Sequence, residues 1–179
     1  MRSKIELTRT AMFSAIMAIA EAGVFAFTWP VIPPIVIMPF ITSFLFAVSL
    51  PFLRTQWIIG IVAAIVATLV KGMILPGLLF LPIYGFIFQS GFAKTSGAVS
   101  SALHVIWGVI LAPIFLSVAP AKALLKWFMP ITGSVWLALL IAVIIYAIGG
   151  LLVAAAGYSV ARRIVAATNS GSSGNYPGP

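Results

Sequence analysis

The chain has 179 residues, of which 63% are apolar and 7% charged, and its mean hydropathy is +1.22; these values exclude a soluble globular domain and predict an all-α integral membrane protein. At roughly 20–25 residues per span with its loop, the length holds about six transmembrane helices and leaves no room for a soluble domain. The net charge of +8 comes from ten basic residues scattered at the ends of apolar runs, a pattern of membrane orientation and not of nucleic-acid binding, and the absence of cysteine excludes disulfides, thiol catalysis and thiolate metal sites.

The first apolar segment runs from about Thr8 to Phe27 and stops at Trp29-Pro30, with Pro33 and Pro34 behind it. It follows Arg2, Lys4 and Arg9 and ends in no small-residue cleavage site, so it reads as a retained span and not as a signal peptide. Ala11, Ala15, Ala18 and Ala22 recur at three-four spacing and fall on one face, a stripe against which another helix can pack closely in lipid. Glu21 lies beside that stripe on the flank of Ser14, and a carboxylate at membrane depth must face protein or a water-filled cavity. Thr28 to Pro34 is expected to be a stiff outer loop, because proline cannot continue a helix and restricts its predecessor.

Segment two spans about Ile35 to Phe52, with Pro39 and Pro51 near its ends and Arg54 beyond it. Segment three, about Gln56 to Leu75, places Gly60, Ala64, Ala67 and Lys71 on one face. Pro76-Gly77 breaks the chain before a short fourth segment, about Leu78 to Phe92, which contains Pro82. Lys94 to Gly97 reads as a loop, and a fifth segment follows from about Ala98 to Val118, kinked if Pro113 lies within the helix.

Ala119 to Pro130 is bounded by prolines, carries Lys122 and Lys126, and ends in aromatics, which predicts a short interfacial helix between spans five and six. Segment six, about Val135 to Val160, has Ala147, Gly150, Ala154, Gly157 and Ala161 on one face and ends at Arg162-Arg163. The transmembrane domain is thus residues 1–167, and 168–179 is a polar, glycine- and serine-rich tail that cannot build a core. With both termini cytoplasmic, Arg2, Lys4, Arg9, Arg54, Lys94, Arg162 and Arg163 lie inside and Lys71, Lys122 and Lys126 outside, the bias of a multi-pass cell-membrane protein.

Catalysis has little to stand on. The chain has one histidine, His104, two acids, Glu6 and Glu21, and no aspartate, short of the ligand sets of zinc or phosphoryl-transfer chemistry. No Walker sequence and no Gly-x-Ser-x-Gly elbow is present, so no enzyme activity, metal or cofactor is expected, and His104 reads as a helix-packing residue. Glu21 and Lys71 reach similar depth in the outer half of the bilayer at about 1.5 Å per residue. They form either a structural ion pair or a polar floor for a small ligand entering from outside. Trp29, Tyr84, Trp107 and Trp136 are candidates to stack on a planar ligand, whereas Trp57 and Trp127 suit the membrane interface.

Six spans in about 180 residues, cytoplasmic ends, a basic N-terminus leading into Thr8-Arg9-Thr10-Ala11 with Ala15 one turn on, and a proline-rich first outer loop together resemble the substrate-binding S component of energy-coupling-factor (ECF) vitamin transporters. The resemblance implies that Ala11 and Ala15, continued by Ala18 and Ala22, dock on a transmembrane T component tied to ATPase subunits. It also implies that residues 28–34 cover a vitamin site near the outer surface, compatible with Glu21, Lys71, Tyr84 and Trp136 lining it. The chain begins Met1-Arg2-Ser3-Lys4, without the histidine-bearing N-terminus of the metal-transporting members. The function expected is capture of a small water-soluble nutrient, a vitamin or its precursor, for an ATP-driven importer. The alternative is a structural or assembly subunit of a larger membrane complex, in which the intramembrane charges serve only interhelical pairing.

Overall fold

The computed structural model describes residues 2–28, 34–71, 80–111 and 122–172. Among them the regular structure is helical throughout: α1 (Arg2–Thr28), α2 (Pro34–Ser49), α3 (Gln56–Lys71), α4 (Leu81–Phe88), α5 (Ala93–Ile106) with a π-helical continuation (Trp107–Leu111), α6 (Lys122–Thr132) and α7 (Val135–Ser172).

The central element is α2. Its sequence is apolar all round apart from Thr42, Ser43 and Ser49, a composition that suits a helix with no solvent face. From Val36 to Ser49 none of its residues is exposed, and it contacts α1, α4, α5 and α7. Pro34 opens it at a position where a missing N–H costs nothing.

Around this hub, α1 presents Thr10, Phe13, Ser14, Met17, Ala18 and Glu21 to the interior, one stripe at three-four spacing. Several crossings depend on glycine. Between α3 and α4, a Cβ on Gly60 would strike the backbone of Leu81 and Pro82, and one on Gly85 would strike that of Gln56 and Trp57. Between α5 and α7, Gly97 meets the Gly150 carbonyl and the Ala154 methyl, while Gly150 meets the Gly97 carbonyl and Ser101. Ala154, Gly157 and Ala161 continue that face of α7 in buried positions, so the small-residue stripe read from the sixth segment is an interface within the chain.

One end of the bundle is closed by a polar knot. The Ser49 hydroxyl donates to Gln56 Oε1 (2.6 Å), Gln56 Nε2 to the Leu53 carbonyl (2.9 Å), and the Gln56 amide to Gln89 Oε1 (2.9 Å). Gln89 Nε2 donates in turn to the Arg54 carbonyl, joining the α2–α3 turn to the end of α4. At the same end the Arg9 guanidinium stands 6.0 Å from the centre of the Phe52 ring.

The structure departs from the sequence expectations at several boundaries. Lys94 to Gly97, expected as a loop, belongs to the first turns of α5. The turn comes earlier, at Gly91, whose φ of +79° is the left-handed conformation glycine adopts freely. Pro130 lies inside α6 and does not end it. The terminator is Gly133 (φ +64°), whose N–H bonds the Met129 carbonyl at 2.9 Å. The last helix runs through Arg162-Arg163 to Ser172, past Thr168, where the sequence predicts a tail without structure. Helical propagation costs little once a long stable helix precedes it.

Among the described residues only α7 is long and apolar enough, over Val135–Thr168, to meet a membrane-crossing criterion by itself, with 28% of its most apolar window buried in the bundle. Leu140, Ile144, Ile148 and Leu152 of that helix face outward, as do Ile19, Leu69 and Phe86 on other helices. Trp57 and Trp127, the two tryptophans expected at the membrane interface, are also exposed.

The glycine crossings give a direct test. Gly150→Val should destabilise the protein by about 3 kcal/mol, because the new side chain forces two backbones apart. Gly23→Ala, at a helical position with nothing within 4 Å of the added methyl, should stabilise by about 0.5–1 kcal/mol. Thermal unfolding in detergent reads both, and equal shifts for the two would contradict the packing described.

Candidate functional site

A helix interior this apolar has few hydrogen-bonding side chains, and those it has are grouped. Ser96, Ser100, Ser101 and His104 follow at i, i+4, i+5 and i+8 on α5, which puts them on one face, and all four are buried. The glycine crossing with α7 holds that face against α2. There Ser43 and Ser101 share a hydroxyl–hydroxyl hydrogen bond of 3.0 Å, and Ser101 lies 3.4 Å from the Pro39 carbonyl. One residue before Ser43, the Thr42 hydroxyl donates to the Glu21 carboxylate of α1. A carboxylate that is 4% exposed needs such a donor, because an ion without partners in an apolar interior is costly.

From α4, Tyr84 completes the cluster. Its hydroxyl lies beside those of Ser43 and Ser101, in the field of the Glu21 carboxylate, yet makes no hydrogen bond of proper geometry. An aromatic wall stands next to it. The Phe80 ring is edge-on to Tyr84 (5.3 Å between centroids) and to His104 (5.4 Å), and it lies 5.9 Å from Trp107. Trp107 opens the π-helical turn that continues α5.

Of the residues singled out in the sequence, Glu21, Tyr84 and Trp107 fall in or beside this cluster. Trp136 does not: it is 76% exposed near the start of α7, on the outward side of the helix. Lys71 is placed only as the last residue of α3, so its pairing with Glu21 lies outside the described residues, as does Trp29. The alanine stripe divides, with Ala11 and Ala15 exposed, Ala22 half-buried and Ala18 buried in the core. The cause is angular, because the buried face of α1 is centred on Met17 and Glu21 and the alanines lie at its edge.

Sequence reasoning missed Thr42, Ser43, Ser101 and Phe80, and it read His104 as packing alone. The signal was available for α5, where three serines and a histidine share one face of an otherwise apolar helix. His104 Nδ1 is buried without a hydrogen-bond partner among the described residues.

No protein-family model, curated protein or solved structure matches this chain.

Two variants separate the made hydrogen bond from the unmade one. Thr42→Val removes the donor to Glu21 and should cost about 2 kcal/mol in unfolding stability. Tyr84→Phe removes a buried hydroxyl that makes no internal bond and should stabilise the protein by about 1–3 kcal/mol. Chemical denaturation in mixed micelles checks both; a large loss for Tyr84→Phe would mean that its hydroxyl is already satisfied within the chain.

Proposed function

We propose that this chain is the substrate-capture subunit of an ATP-driven importer of the ECF type, binding a small water-soluble nutrient from the outer side. The observation that carries this reading is the buried polar cluster of Glu21, Thr42, Ser43, Tyr84 and Ser101 beside an aromatic wall. Its Tyr84 Oη and the nearby His104 Nδ1 have no hydrogen-bond partner among the described residues. Buried polar groups are almost always satisfied in a finished interior, and convergent polar groups against aromatic walls are the usual make-up of a small-molecule site.

On this reading α1 to α5 and α7 are the six spans of a cell-membrane bundle, and α6 is the interfacial helix. Outward-facing apolar side chains on α1, α3, α4 and α7 support a lipid surrounding, since water would leave them as an exposed patch. The eight residues of α4 rise only about 12 Å. Their contacts with α2, α3 and α5 suit a short helix shielded by protein at membrane depth. The knot of Gln56 and Gln89, with Arg9, Arg54 and Lys94 around that end, marks the proposed cytoplasmic side by the excess of positive charge. Both termini lie there, and ATP is hydrolysed by partner subunits.

Docking on a membrane-embedded T component is assigned to the exposed part of the alanine stripe, Ala11 and Ala15, in the half of α1 near that basic end. Ala18 is withdrawn from such a surface by its burial, and Ala22 lies beyond it.

Mass spectrometry of the purified protein should find a copurifying small polar molecule. Ala11→Trp with Ala15→Trp should leave that molecule bound while abolishing copurification with the T component. A structural or assembly subunit would carry no such molecule, and variants that lose the molecule but keep the assembly would contradict the division of roles.

A further inference from the structure

The hydrogen-bond inventory of the cluster sets the chemistry of what can complete it. Each hydroxyl brings one proton to donate and two lone pairs to accept, and a carboxylate accepts only. The Thr42 proton is committed to Glu21. Ser43 and Ser101 bond each other through one of their two protons, and Ser101 also reaches the Pro39 carbonyl, so at least one serine proton is committed as well. What remains is mostly acceptor capacity: the unused lone pairs of the Glu21 carboxylate, those of Ser43 and Thr42, and the Tyr84 oxygen. The Tyr84 hydroxyl proton is left unspent among the described residues, as is that of Ser14 on the buried face of α1.

Resting on the capture reading above, we propose that the site takes a ligand rich in N–H donors, an amino-substituted planar nitrogen heterocycle, with Glu21 as the acceptor of its N–H groups and Tyr84 donating to a ring nitrogen. A ligand presenting a carboxylate to the same atoms would set acceptor against acceptor and like charge against Glu21, which is destabilising at close range in an interior. Phe80 and Trp107, tilted at 32° with centroids 5.9 Å apart, place aromatic carbon beside these polar groups, the kind of partner a planar ring takes. His104 Nδ1, buried within the same wall, gives one more unfilled position, able to accept from an N–H in one tautomer.

The test uses the full chain in detergent with two planar probes of similar size, 2,4-diaminopyrimidine and benzoate, and follows binding by titration calorimetry and thermal shift. The diaminopyrimidine should bind and raise the unfolding midpoint, while benzoate should do neither. Tyr84→Phe, whose folding does not depend on the lost hydroxyl, should bind the diaminopyrimidine at least fivefold more weakly, and Glu21→Gln at least tenfold more weakly.

Equal binding by wild type and Glu21→Gln, or preference for benzoate, overturns the assignment. So does wild-type binding by the double variant Glu21→Gln with Lys71→Met, which would show the two residues to be a structural pair only. Failure of the diaminopyrimidine to bind also overturns it, but leaves the capture reading to be decided by the copurifying molecule. If benzoate binds and Tyr84→Phe abolishes that binding, the site is real and only its donor preference is refuted.

Discussion

The close approach of α5 to α7 through Gly97 and Gly150 is the contact on which the polar interior depends. Each glycine sits where a Cβ would collide with the carbonyl of the other, so the two helices meet backbone to backbone. That contact fixes the rotation of α5. With Gly97 turned to α7, the face bearing Ser100, Ser101 and His104 is turned inward, and Ser101 reaches both Ser43 and the Pro39 carbonyl of α2. In lipid, where apolar side chains gain little by meeting each other, such close backbone packing and the hydrogen bonds it brings within reach are the main cohesive forces available.

The same bundle treats its buried polar groups in two ways. At the basic end, Ser49, Gln56 and Gln89 have their side-chain groups bonded to one another or to turn carbonyls, and two connections are tied together as a result. In the middle of the bundle, Glu21 and Ser101 are bonded, but Ser14 Oγ, Tyr84 Oη and His104 Nδ1 are not. A fold that satisfies its amides so fully at one end has the means to satisfy a tyrosine at the other, for instance by carrying phenylalanine there. Keeping an unpaired hydroxyl costs about 1–3 kcal/mol, which stability alone does not repay.

Much of the helical framework was legible in the sequence, since apolar runs and their proline and glycine breaks fix where segments begin and end. The errors were local. Lys94 to Gly97 looked like a loop because Lys, Thr, Ser and Gly are weak in a helix interior, but a glycine flat against another backbone is worth more than its propensity loss. The Thr168 boundary failed because composition does not register how far a long helix propagates. In the cluster, Glu21 stood out as the single acid inside an apolar run, and Tyr84 and Trp107 as polar-tipped aromatics. Thr42 and Ser43 gave no such signal, since hydroxyls in membrane helices commonly bond their own backbone. Which of the many hydroxyls meet across helices is a property of rotation and register, set by the glycine crossings and not by any residue near the site.

The position of α1 follows from the same geometry. Met17 and Glu21 define its buried side, while Ala11 and Ala15 sit at the margin and are exposed. Ala11 and Glu21 are about 15 Å apart along one helix and differ in facing. On the proposed reading, a partner at Ala11 and a ligand at Glu21 would therefore act on one stiff element from different sides. Rigidity alone does not transmit a signal, because coupling requires an element with two arrangements that both sites bias. The Glu21–Thr42 bond is the point at which α1 is held to the central helix by a polar contact. A ligand competing for that carboxylate would loosen the hold of α2 on α1, and a partner on the exposed alanines would be the one to sense it.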